Sequence, residues 1–559
     1  MNSTPAPAHA RPTQISTAMS VGKASLLLAG MIALSRIAGF GRLVLTSYLY
    51  GISPQTDAYN AAFNIPDTIN ILIAGGALAT GFVPVFTNYL AKGDEAGARH
   101  TFRAMLTLLG AAAGVLTLAL LALTYTPLGR LLAPAKVQPE VIELYLHTLR
   151  ILLFAQFIFI IGGLFTGVLN ALRLFWYPAL QPVIFNVGIV VFGIALPKMY
   201  GMGIESQAWG ALAGALIGSL FIQIPALRRN GLSLLPVWDL KDAGVRQVVG
   251  SLLPIVFGLS SGQLIALILP KFFAAKMGGG DITALDNANR LMQVPLAVLA
   301  SGPAIALYPT LTLLFAEGKT DEFREQISGA VRRTLILMLW ASALLMALRF
   351  PVVHLLLEHG AFTKAHTKFT SDVLMFYAIG LVGLGAQQFL ARGFYAAGDT
   401  RAPVVTGIFA MLLFGVLGFA FVSGAVAANM LALAATIALC VLALLMGVML
   451  SRKLRGWDDG ATLGVLLKGF VAAAITYVAA LYLQRWLGAA LSGFDAGSTP
   501  AFIKLAARSA VVVGGALFGT LVFVLMAGLL GVQELGPLSK LSQKIFKRDS
   551  SRFFKPGKT

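Results

Sequence analysis

The chain has 559 residues, a formal net charge of +19, 57% hydrophobic and only 12% charged residues, and a mean hydropathy of +0.82. That composition excludes a soluble two- or three-domain protein and defines a polytopic membrane protein. The positive charge does not indicate nucleic acid, because Lys and Arg fall in loops between apolar runs and in the tail, the pattern of the positive-inside rule.

Residues 1–22 are rich in Pro, Ala, Ser and Thr and read as a disordered cytoplasmic tail rather than a secretory signal. Fourteen apolar runs follow, near 24–50, 56–90, 101–126, 140–170, 176–199, 206–228, 245–275, 283–315, 330–350, 368–397, 402–424, 426–450, 463–486 and 503–531. Each is long enough to cross a ~30 Å hydrocarbon core at ~1.5 Å per residue. They hold too much Gly, Pro and Ala, and too little alternation, for barrel strands, so the expected fold is an all-α bundle. Basic loops after every second run, among them Lys92 and Arg99, Arg228 and Arg229, and Arg452 and Lys453, place both termini in the cytoplasm.

The chain compares with itself. Pro84 and AKG at 91–93 recur 225 residues later as Pro309 and AEG at 316–318, and Pro178 recurs as Pro403. TDAYNAAFNIP (56–66) matches LDNANRLMQVP (285–295), pairing Asp57 with Asp286 and Pro66 with Pro295. An even number of helices per copy makes this a parallel repeat, a transporter design in which two lobes rock about a substrate between them. The expected organisation is an N-lobe over 23–231, an interfacial linker over 232–244 and a C-lobe over 245–455. Two further helices over 456–531 and a basic cytoplasmic tail over 532–559 complete it.

The polar residues inside the runs carry the chemistry. Arg36 and Arg42 lie in the first run, and Asp57, Asn60, Asn64 and Asp67 share one face of the second. In the eighth, Asp286, Asn289, Arg290 and Gln293 repeat that face. A guanidinium stays charged when desolvated and grips phosphate oxygens with two parallel bonds, so arginines facing one cavity suit a diphosphate, with the acids and amides binding hydroxyls or amides of the same cargo. The other readings are snorkelling for Arg36 and Arg42, a local pair with Asp286 for Arg290, and ion pairing for Asp57 and Asp67. Gly39, Gly41, Pro66, Gly75, Gly76 and Pro84 are the expected gating or hinge positions. There is no P-loop, HExxH or nucleophile elbow, so neither an enzyme nor a cofactor is expected. The single Cys440 lies in an apolar run, and His354, His359 and His366 lack zinc-ligand spacing, so no metal site is expected either.

The stretches SRIAGFGR (35–42), TDAYNAAFNIP (56–66), GFVPVF (81–86), NRLMQVP (289–295), EHGAFT (358–363) and FYAAGDTRAPV (394–404) resemble the bacterial lipid II flippase family, MurJ or MviN, of the MOP transporter superfamily. The resemblance implies fourteen helices in two pseudo-symmetric lobes around a charged cavity, with a groove for the polyprenyl tail formed with the last two helices. It implies outward transfer of the undecaprenyl-diphosphate-linked peptidoglycan precursor across the inner membrane by alternating access, alongside other cell-wall synthesis proteins. Arg36, Arg42 and Arg290 fall on the family's cavity arginines, and Asp57 on its acidic position in the second helix. The sequence departs from the family at Leu43, Asn70 and Gly75, where many members carry charged residues. Another MOP exporter of a polyprenyl-diphosphate oligosaccharide, a polyprenyl-phosphate enzyme and a non-transporting scaffold are the alternatives.

Overall fold

The computed structural model describes residues 21–69, 77–130, 133, 138–250, 261–262, 264–276, 279–422, 428–456, 459–495 and 499–534. Of the expected tails over 1–22 and 532–559, residues 1–20 and 535–559 lie outside these residues, as do Asn70, Gly75 and Gly76, while Val21 and Gly22 already belong to the first helix. The N-lobe is built from α1 (Val21–Tyr50), α2 (Pro54–Ala62), α3 (Asn64–Ile69), α4 (Ala77–Ala91), α5 (Glu95–Thr124), α6 (Pro139–Ala171), α7 (Trp176–Tyr200) and α8 (Ser206–Arg229). The C-lobe comprises α9 (Leu264–Ala274), α10 (Asp281–Ala316), α11 (Thr320–Ala347), α12 (Arg349–Leu357), α13 (Lys364–Ala396), α14 (Arg401–Val422) and α15 (Ala428–Lys453). The last two helices are α16 (Asp459–Ala490) and α17 (Ala501–Leu529).

Among the described residues, 11 helices are long and apolar enough to cross a membrane. The other three expected spans fall on α1, on α2–α4 and on α9. The ninth run begins ten residues earlier than expected, because Thr320–Gly329 continues as amphipathic helix before the apolar stretch starts.

The duplication is visible in the helix ends. Ala91 and Ala316, Glu95 and Thr320, Pro139 and Lys364, Ala171 and Ala396, and Trp176 and Arg401 are helix ends each 225 residues apart. Gly93 and Gly318, at the same offset, hold φ of 74° and 72° and let the chain leave one helix for the next. The paired prolines both disturb the regular helix, in different ways. Pro66 cannot donate an N–H to the carbonyl of Ala62, and the helix breaks at Phe63. Pro295 is followed by a π-helical turn over Ala297–Ser301.

Packing follows membrane rules, in which close backbone approach replaces hydrophobic burial as the driving force. In the N-lobe, Gly188 of α7 faces Gly210 and Gly214 of α8; a Cβ on Gly214 would lie 2.7 Å from the Cα of Phe185. The centre of the C-lobe is α13, packed between α10, α11 and α15. A Cβ on its Gly383 would stand 2.8 Å from the backbone of Cys440. α16 lies on α11 and pairs with α17, and α11 also reaches α17, Trp340 Nε1 donating to Thr520 Oγ1 at 3.2 Å. The linker after α8 runs back along α5: Val237 N–H donates to Thr107 Oγ1 (2.8 Å) and Arg103 Nε to the Leu235 carbonyl (2.9 Å). His100 on Asp239 also lowers that carboxyl below its ordinary range.

Candidate functional site: the seam between the lobes

The lobes meet where α2 faces the start of α10, α1 faces α12, and α3 faces α9. The local sequence explains the first contact. Ser53 caps α2 through a reciprocal pair of bonds with Thr56, which fixes Asp57 in the first turn. Across the seam, α10 starts at Gly280, whose φ of 96° suits glycine but which has no side chain to cap the helix. Asp57 supplies the missing cap from the other lobe. Its carboxylate accepts from Gly280 N–H (2.8 Å), Thr283 N–H (2.9 Å) and Thr283 Oγ1–H (2.7 Å). Asn60 Nδ2 adds a bond to Thr283 Oγ1 at 3.1 Å. Thus Asp57, 1% exposed, has its acceptor capacity filled in this conformation.

A second contact closes the same end. Ala361 N–H donates to the Tyr48 carbonyl at 2.8 Å, and His366 Nδ1 accepts from Ile52 N–H at 3.4 Å and Thr363 N–H at 3.2 Å. Gly51 and Gly360 both have φ of 59°, and a Cβ on either would collide with the opposing backbone.

Beneath the seam lies a cluster of buried charge. Asp286 of α10 bridges Lys271 of α9 (2.5 Å) and Arg290 (2.6 Å), one turn further along α10. Lys271 and Asp286 are buried, while the Arg290 side chain keeps 35% exposure. So the local pair with Asp286 is formed, and the guanidinium still has a free edge. From the N-lobe, Arg42 donates to Tyr59 Oη at 3.3 Å and stacks over Phe63 with its Cζ 4.8 Å from the ring centre. Arg42, Tyr59, Asn60, Asp286 and Arg290 line one small pocket of about 20 Å³, space for little more than a water.

The expected residues are therefore not all in one place. Arg42, Asn60 and Arg290 share that pocket, and Asp57 seals it. Arg36 stands apart, exposed and without a hydrogen bond or ion pair among the described residues. Asn289 donates to the Ala266 carbonyl (2.7 Å) and accepts from Gln293 Nε2 (2.7 Å), tying α10 to α9. Asn64 is buried with its Oδ1 unpaired. α1 runs unbroken through Gly39 and Gly41, and a Cβ at Gly41 would meet nothing within 4 Å. Pro66 is buried at the α2–α3 break, whereas Pro84 is exposed inside α4.

Sequence reasoning missed three members: Lys271, Tyr59 and Thr283. Lys271 carried a usable signal, a cation inside the apolar run 245–275. Among the described residues, no group of three or more His, Cys, Asp or Glu is placed to hold a metal ion.

Duplicated helical lobes meeting over a pair of arginines, one from each lobe, define a membrane transporter of the two-lobed kind. The solved structure of "Lipid II flippase MurJ, inward closed conformation" superposes with a TM-score of 0.70 over 90% of this chain and 98% of that one, at 20% identity. An inward-facing multidrug transporter of the MATE family in the MOP superfamily superposes at 0.62, over 77% of this chain and 98% of that one, at 17% identity. The family model "Lipid II flippase MurJ" matches residues 46–494, and the chain belongs to that family. A probable lipid II flippase from Bdellovibrio bacteriovorus is 31% identical over 69% of this chain and 74% of its own. A probable lipid II flippase from Rhizobium meliloti is 28% identical over 86% of this chain and 90% of its own.

Proposed function

We propose that this chain flips lipid II, the undecaprenyl-diphosphate-linked precursor of peptidoglycan, across the bacterial cytoplasmic membrane by alternating access. The observation that carries the reading is the meeting of Arg42 and Arg290, from opposite lobes, in one pocket under a closed seam. Two guanidinium groups converging from separate lobes suit a diphosphate, whose binding would pull the lobes together. Arg36 lies about 21 Å from the sealed end of α1 at 1.5 Å per residue, a depth at which an exposed guanidinium belongs in water and not among acyl chains.

With both termini placed in the cytoplasm by the charge of the loops, the sealed end is the outer one. The polyprenyl tail would run along the apolar faces of α16 and α17, which expose Leu467, Phe470, Leu517 and Leu521. Transport draws on membrane potential or an ion gradient, and the chain carries out no covalent chemistry. A cationic drug as cargo fits poorly with Arg42 and Arg290 lining the pocket.

The test is depletion of the protein in its native host, followed by assay of lipid II in each leaflet. Build-up in the inner leaflet, relieved by the wild-type chain and not by Arg42→Ala or Arg290→Ala, is the expected result. Unchanged lipid II distribution in a host lacking any second flippase would overturn it.

A further inference from the structure

Beside the charged pocket, and separate from it, the N-lobe contains a cavity of about 290 Å³ between α3, α6 and α7. That is near the lower end of the ~300–1,000 Å³ common for small-molecule sites, and suits one substituted ring rather than a peptide. Its walls include Phe63, Phe159 and Phe185. Two polar groups there make no hydrogen bond among the described residues. Gln156 is 4% exposed, and its Nε2 makes no hydrogen bond. Asp67 makes no side-chain hydrogen bond or ion pair among the described residues, although Lys271, Arg290, Asp286 and Arg42 are within its electrostatic reach. A buried amide without a partner costs about 1–3 kcal/mol, so its retention beside a cavity calls for a ligand.

We propose that this cavity is the subsite for one amino-sugar ring of the headgroup, an assignment that rests on the lipid II reading above. Aromatic faces with a carboxylate and an amide at the edge suit a pyranose: its C–H face lies on a ring, its hydroxyls donate to Asp67, and Gln156 donates to a hydroxyl or acetamido oxygen. A second phosphate fits badly, because Asp67 would repel it. Position supports the same division of labour. Phe63 and Phe185 line the cavity, and the Arg42 guanidinium lies over both rings, at 4.8 and 5.9 Å from their centres. One aromatic wall thus separates a cation suited to the diphosphate from a cavity suited to the sugar attached to it.

The test compares binding of lipid II, of its monosaccharide precursor lipid I, and of sugar-free undecaprenyl diphosphate to the full-length purified protein in nanodiscs. Gln156→Leu should weaken lipid II about tenfold, the worth of one buried hydrogen bond, and leave undecaprenyl diphosphate unchanged, while Asp67→Asn should weaken lipid II by a similar factor and leave undecaprenyl diphosphate binding as tight or tighter. Phe159→Trp, which fills the cavity without removing a polar group, should do the same as Gln156→Leu. Retained binding of undecaprenyl diphosphate also shows that each variant is folded. Lipid I decides which ring is read: a loss shared with lipid II assigns the first sugar, and a loss confined to lipid II the second. Equal losses for all three lipids, or none for lipid II in any variant, would overturn the subsite. If the wild-type protein binds none of the lipids, the transport reading falls with it, an outcome distinct from wild-type binding without selective loss in the variants.

Discussion

Asp57 and Thr283 belong to different lobes, and the carboxylate of the first accepts both the backbone N–H and the hydroxyl of the second, at 2.9 and 2.7 Å. A helix of the C-lobe is therefore capped by a residue of the N-lobe, and parting the lobes uncaps it. Loss of an N-cap costs about 0.5–2 kcal/mol. Asp57→Ala should shift the equilibrium toward the open seam by roughly twofold to thirtyfold. Spin labels at the exposed Gln55 and Lys276 would report it as a new long-distance population; an unchanged distance distribution would count against the latch.

The charged pocket depends on guanidinium geometry and not on charge alone. Arg42 lies over Phe63 and donates to Tyr59 at 3.3 Å. Lysine keeps the charge but loses the planar stack and the paired donors. Flipping of a fluorescent lipid II by reconstituted Arg42→Lys should fall about tenfold or more, one such bidentate contact being worth at least ~1.4 kcal/mol. Arg36→Ala and Arg290→Ala should abolish it with membrane insertion intact. Activity near wild type in Arg42→Lys would show that a point charge suffices.

Removing Asp286 tests the buried cluster. Asp286→Ala leaves the Lys271 ammonium, 2% exposed, without its counter-charge. Breaking a buried pair from one side costs about 3–5 kcal/mol, while replacing both partners with apolar groups is often neutral. Thermal unfolding in detergent should occur well below wild type for Asp286→Ala and recover in large part for Lys271→Met with Asp286→Leu. No recovery in the double variant would assign the loss to Arg290.

Acid should loosen the second seam contact. His366 Nδ1 accepts from Ile52 and Thr363 and must be unprotonated to do so. Burial, opposed by a hydrogen bond with Ala361, holds its pKa below the ordinary histidine value. A depressed pKa makes this contribution complete above the unfolded value near ~6.5 and lost as pH falls through the lower folded value. Labels at Ile52 and Lys364 should separate on acidification in the wild type and respond less in His366→Ala. The same acid response in both proteins would exclude His366 as the cause.

Gly214→Leu addresses the N-lobe frame. Its side chain would drive α8 away from the backbone of Phe185, which a Cβ alone already approaches at 2.7 Å. Because Phe185 lines the side cavity, lipid II affinity and thermal stability should fall together, whereas Gly41→Leu, in open space, should leave stability within about 0.5 kcal/mol. A stable Gly214→Leu protein would mean that α7 and α8 can separate without penalty.

The sequence by itself determined the class of fold, because lipid leaves few choices. A run of twenty apolar residues has to be a helix, loop cations orient it, and a repeated proline disturbs the helix in both copies, breaking it near Pro66 and widening it after Pro295. The arginines were legible for the same reason, as charges where charge is costly. What each polar residue touches was decided only by the tertiary structure. Asp57, Asn60 and Asn289 share a sequence pattern, yet one caps a helix of the other lobe, one supports that cap, and one binds a backbone carbonyl within its own lobe. Helical spacing fixes the face on which a side chain lies but not which helix stands opposite. Contacts such as Lys271 with Asp286, or the cavity between α3, α6 and α7, join segments far apart in the chain, and come into being only when the helices pack.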